Sequence, residues 1–135
     1  MTIKAEILQA LLQARNAAYA PYSGFRVAAV AVAPDGRAFA GCNVETAHFK
    51  SICAEASALS AMVGAGCRKL ATIYILGPSD KACPPCGDCR QRIHEFSGSD
   101  TPVVLVDDNG CERQRFTVSD LLPQAFGPQG AASDN

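Results

Sequence analysis

The sequence predicts a single α/β domain in which a sheet is covered by helices, and three observations carry that expectation. Short apolar runs rich in β-branched residues alternate along the chain with segments of helical periodicity. Turn signals separate them at Pro34-Asp35-Gly36, Gly64-Ala65-Gly66, Gly77-Pro78 and Asp108-Asn109-Gly110. A length of 135 residues with 48% hydrophobic content suits one core and leaves no room for a second domain.

In chain order, Ile3, Ile7, Leu8, Leu11 and Leu12 fall at helical spacing, which predicts an amphipathic helix with Thr2 as its N-cap, ending before Pro21. Phe25 to Ala33 is an almost unbroken apolar run, and the turn after it leads into Arg37 to Cys42, a hairpin whose first strand is buried. Cys53 to Val63 favours helix and stops at Gly64-Ala65-Gly66. A strand is expected at Ala71 to Leu76, a cysteine-rich loop at 83 to 89, a helix from Arg90 to Phe96, and a strand at Pro102 to Val106. Val118 to Phe126 reads as a short helical turn broken at Pro123. The catalytic unit is expected to span residues 1–127, with 128–135, rich in Gly, Ser, Ala and Asp, as a flexible tail.

Bulk charge excludes some functions. Twelve basic and 13 acidic side chains leave a formal charge of -1, without the positive surplus that phosphate-backbone binding needs, so nucleic acid is not expected as a partner. No apolar stretch reaches membrane-spanning length, and Met1 to Glu6 runs into the first helix without the pattern of an export signal. A cytoplasmic protein with no membrane partner is therefore expected. The cysteines are seven, an odd number, at 42, 53, 67, 83, 86, 89 and 111, which favours metal or thiol chemistry over a disulfide framework.

Cys86-Gly87-Asp88-Cys89 has the spacing that lets two thiols face one point in the first turn of a helix, and Pro84-Pro85 supports a helix start there. Alone it could be a redox pair, half of a structural zinc site, or neither. Cys53-Ala54-Glu55 offers a third thiol and a carboxylate, although such a tripeptide in isolation is more often a buried cysteine beside an exposed glutamate. Both side chains can address one metal only if Cys53 occupies the non-helical cap and Glu55 the first turn. Three thiolates leave a tetrahedral zinc one open position, as a catalytic site requires. Zinc there would acidify water, and Glu55 would shuttle its protons during attack on the carbon bearing an amino group. Cys83 forms a second Cys-x-x-Cys with Cys86 and is a rival fourth ligand, ranked lower because two prolines fill the gap.

Over nearly its whole length the chain resembles the cytidine deaminase family, in its small form with three zinc-binding cysteines. The markers are Ala20-Pro21-Tyr22-Ser23-Gly24-Phe25-Arg26-Val27, Gly41-Cys42-Asn43-Val44-Glu45, Cys53-Ala54-Glu55, Pro85-Cys86-Gly87-Asp88-Cys89-Arg90-Gln91 and Leu121-Leu122-Pro123-Gln124-Ala125-Phe126. The resemblance implies a three-layer α/β/α, cytidine-deaminase-like fold with a mixed sheet of about five strands. It implies one Zn2+ per subunit on Cys53, Cys86 and Cys89, catalysis by Glu55, and a free cytidine-type nucleoside as substrate. Phe25, Asn43, Glu45 and Ala54 would contact that substrate, with Asn43 and Glu45 on the ribose hydroxyls and Phe25 on the base. Phe126 would close a neighbouring subunit's pocket in a homotetramer with composite sites.

The chain departs from the family's pattern at several places. Ala56 follows the catalytic glutamate where the family often has arginine, and Asp88 adds a negative charge between two ligands, so helix N-termini and Arg90 are expected to offset the thiolates. The 46–52 segment is one residue short and carries Phe49 in place of tyrosine, and Ala28 stands where glycine is usual. Competing readings are a deaminase of another aminopyrimidine nucleoside, such as a modified cytidine or a blasticidin S-like compound, a structural zinc module, and a thiol-redox pair.

Overall fold

A computed structural model describes residues 1–127; the expected tail at 128–135 lies outside the described residues. Nine elements follow in order: α1 (Ala5–Ala17), β1 (Ala28–Val32), β2 (Ala38–Cys42), α2 (Ala54–Gly64), β3 (Thr72–Leu76), α3 (Gly87–Glu95), β4 (Pro102–Val106), β5 (Glu112–Thr117) and α4 (Val118–Leu121). The five strands form one mixed sheet in the order β2-β1-β3-β4-β5, antiparallel except for the parallel β3/β4 pair that α3 connects.

Strand alternation makes the layers. Ala28, Val30, Leu76, Val104 and Val106 point to one face and pack on Ile7 and Leu11 of α1. Ala29, Ala31, Ile73, Ile75, Val103 and Leu105 point to the other, where Ala58, Leu59 and Met62 of α2 and Ile93 of α3 cover them. The central strands are buried on both faces, which is why they read as continuous apolar runs. The expected three-layer α/β/α domain is the observed one.

Three expectations are corrected. Thr2 does not cap α1: it forms an antiparallel bridge with Cys111, and Lys4 occupies the N-cap without a side-chain cap bond. Helix α3 begins at Gly87 rather than Arg90, because Cys86 takes the cap and the turn that holds Cys89 is already helical. Strand β5 was not anticipated. Its Glu112-Arg113-Gln114-Arg115 run is polar because it is an edge, and only Phe116, opposite Val103, packs against the core.

One close approach positions the site. A Cβ on Gly41 of β2 would lie 2.3 Å from the backbone nitrogen of Ala58 and 2.7 Å from the carbonyl oxygen of Ala54. The absence of a side chain lets α2 lie directly on β2, beside Asn43.

Candidate active site

The N-termini of α2 and α3 converge on one point. Cys53 is the N-cap of α2, with φ -73° and ψ 155°, and Cys86 is the N-cap of α3, with φ -66° and ψ 165°. Extended backbone at the cap and helical backbone after it turn Cys53 and Glu55 toward the same place, as the sequence required. Cys89, in the first turn of α3, completes a cluster in which the three sulfur atoms lie within 4.8 Å of one another. The Cys53 and Cys86 sulfurs are 3.8 Å apart. Tetrahedral zinc with Zn–S bonds of about 2.3 Å separates its sulfurs by about 3.8 Å, so this pair already has the spacing of a zinc site.

The electrostatics agree with that fit. Burial pushes the Cys53 and Cys89 thiols up, and the Cys86 thiol and the Glu55 carboxylate also disfavour their charged forms. A divalent cation reverses this, since it stabilises the thiolates that burial and mutual repulsion oppose. Cys83 is pushed up to about 11, chiefly by burial. It is not part of the three-sulfur cluster and packs against the core beneath Gly77, where a Cβ would meet its own Cβ at 2.5 Å.

Glu55 is 4% exposed and has its carboxyl raised above the ordinary glutamate range by burial. A carboxyl raised toward neutrality is suited to both taking and giving a proton.

A cleft of about 400 Å3 opens over Glu55 and the thiols of Cys53 and Cys86. Phe25, Asn43, Glu45 and Ala54 line it, so four of the five expected substrate contacts share one cavity. Two of them brace the backbone that carries Phe25. The Asn43 side chain accepts from Val27 N at 2.9 Å and donates to Phe25 O at 2.8 Å. The Glu45 carboxylate accepts from Tyr22 N at 3.0 Å and from Ser23 N at 3.1 Å, and also from the Ser23 hydroxyl, whose oxygen accepts from Phe25 N at 3.0 Å. The Ser23 hydroxyl and, less strongly, these amides hold Glu45 below the usual carboxylate range. A carboxylate has about four acceptor positions, so Glu45 retains one for a ligand.

Phe126 is not brought to this cleft. It is 85% exposed, and its carbonyl accepts from Gln91 Nε2 at 2.7 Å. Phe49 is also exposed, has φ of 59°, and meets Tyr22 edge to face at 5.9 Å.

Arg90 directly follows Cys89 in α3. Its guanidinium donates to Pro85 O at 2.8 Å and Leu121 O at 3.1 Å, fixing the loop before Cys86. One contributor was missed in the sequence. Ser23 lines the cleft; it stands within the first family marker and before Gly24, whose φ of 69° turns the chain into Phe25, but neither gave it a role of its own.

The sequence model of the cytidine and deoxycytidylate deaminase zinc-binding region matches residues 1–105. The cytidine deaminase of Halalkalibacterium halodurans is 39% identical over 121 residues, covering 89% of this chain and 91% of that protein. That of Mycobacterium tuberculosis is 38% identical over 116 residues, covering 85% and 83%. Among solved structures, cytidine deaminase from Burkholderia pseudomallei superposes with a TM-score of 0.82 at 40% identity, over 92% of this chain and all of that one.

Proposed function

The chain belongs to the cytidine and deoxycytidylate deaminase family, and from that membership we propose how its residues carry out the zinc-dependent hydrolytic deamination of cytidine. Cys53, Cys86 and Cys89 would hold the zinc, which would supply the Lewis acidity that acidifies water. Glu55 accepts a proton from that water as its oxygen adds to C4 of the base, and delivers it to N3. It then carries the second water proton to the departing amino group, so that ammonia leaves and C4 becomes a carbonyl. Water enters, ammonia and the uridine product leave, and Glu55 ends in its starting state.

The observation that carries this reading is the convergence of three thiols and a buried glutamate on one cleft. A structural zinc module needs neither an open ligand position nor a glutamate desolvated beside it. In the same cleft Phe25 stacks on the base, while Glu45 and Asn43 offer their remaining hydrogen-bonding positions to the sugar. Ala54 supplies cleft wall at the start of α2.

The exposure of Phe126, away from its own chain's cleft, supports a homotetramer in which it closes a neighbour's site. Tyr19, Tyr22, Phe49 and Ile52, all more than half exposed, supply further apolar surface for such contacts. A cytoplasmic location fits this reading, because a reducing compartment keeps the three cysteine ligands from pairing as disulfides. No helix among the described residues is long and apolar enough to cross a membrane.

The test is ammonia release from cytidine, deoxycytidine and a panel of modified aminopyrimidine nucleosides. Turnover of cytidine or deoxycytidine supports the reading. Turnover confined to a modified nucleoside would keep the chemistry and replace the substrate.

A further inference from the structure

Three thiolates on a divalent ion leave the centre with a net negative charge, which weakens the ion as a Lewis acid unless a cation lies close by. Helix α2 supplies none there: the residue after Glu55 is Ala56, facing a groove of about 780 Å3 between α2 and α3. Arg90 is committed to the carbonyls of Pro85 and Leu121. Across the groove from Ala56, on the wall formed by α3, stand Asp88 and Arg92.

We propose that Arg92 is a positioning residue of the metal centre, oriented by Asp88 so that its guanidinium offsets the surplus negative charge of the thiolates at Cys89. Arg92 lies three residues after Cys89 on α3, on the same stripe of the helix. Helical side chains lean toward the N-terminus, which carries the guanidinium back over the first turn. Its 2.7 Å bond from Nη1 to Asp88 Oδ2 records that direction. Asp88, which by itself would add a negative charge between two ligands, is thereby neutralised. The guanidinium's charged form is favoured first by Asp88 and to a lesser degree by the neighbouring Cys89. The pair is neutral as a whole, so it offsets the thiolates only with its guanidinium turned to the sulfur. The N-terminal dipoles of α2 and α3 act in the same sense.

This inference rests on the zinc reading above, and the test separates the two. Wild type, Arg92→Gln and Arg92→Lys are prepared with zinc for kinetics and with cobalt for absorption spectra. A cation beside a thiolate lowers its filled orbitals, so its removal shifts the thiolate-to-cobalt charge-transfer band to lower energy. Arg92→Gln is expected to show that shift, with kcat reduced about 10-fold and KM within about twofold. Arg92→Lys, which keeps the charge, is expected to restore most of both. An unshifted band in Arg92→Gln, or equal losses in Arg92→Lys and Arg92→Gln, would overturn the proposal while leaving the zinc reading intact. A wild-type protein that binds neither zinc nor cobalt would remove the reading beneath it.

Discussion

Gly41 and Ala58 touch backbone to backbone: a Cβ on Gly41 would sit 2.3 Å from the Ala58 nitrogen. No side chain can give way there, so β2 and α2 would have to separate. Gly41→Ala is expected to destabilise the fold by about 1–3 kcal/mol, the range of an overpacked core. It should also disturb zinc retention, because α2 carries Cys53 and Glu55. Urea denaturation with metal analysis checks both, and a variant as stable as wild type would contradict the account.

Arg15 ties the first helix to the far end of the sheet. Its guanidinium grips Asp108 with two bonds, of 2.7 and 2.9 Å, and donates to Gly77 O at 2.8 Å. Arg15 first, with a further contribution from the Ser79 hydroxyl, holds the Asp108 carboxyl down to about 2. A carboxyl lowered on folding contributes stability that is complete above its ordinary value of 3.8 and is lost as pH falls through about 2. Asp108 is 37% exposed, so screening limits the contribution to about 1 kcal/mol. Asp108→Asn should flatten the pH dependence of the urea midpoint between about pH 4 and pH 2 relative to wild type. Parallel curves would show that the pair contributes nothing.

Ser23 links Glu45 to the backbone of Phe25. Ser23→Ala removes a bond to a charged carboxylate and another from the Phe25 amide, loosening the wall against which the base would stack. KM for cytidine is expected to rise about 10-fold, as the loss of a hydrogen bond to a charged group implies, with kcat much less affected. Ser23→Thr should recover part of the loss. An unchanged KM in Ser23→Ala would show that the loop is held by its other contacts.

Where a residue's neighbours in sequence are also its neighbours in space, its role was legible. Cys53 and Glu55 are two apart at a helix start, and Cys86 and Cys89 three apart at another, so the chemistry required cap geometry that the caps of α2 and α3 provide. The central strands were legible because burial on both faces leaves them uniformly apolar. Strand β5 was not, since an edge that pairs on one side needs only Phe116 to be apolar. Thr2 resembled a cap by type, but the start of the chain pairs with Cys111, more than a hundred residues away, which no local pattern encodes. The bracing of Phe25 by Asn43 and Glu45 likewise joins segments about 20 residues apart. The family's motifs named those two residues without revealing that most of their bonds go to their own chain.

The most direct measurement of the central claim pairs zinc content with cytidine turnover in wild type and Glu55→Gln. One zinc per chain in both proteins, with turnover in wild type and a loss of several orders of magnitude in Glu55→Gln, is the predicted result. Turnover retained in Glu55→Gln, or undiminished in a wild-type protein stripped of zinc, would contradict it.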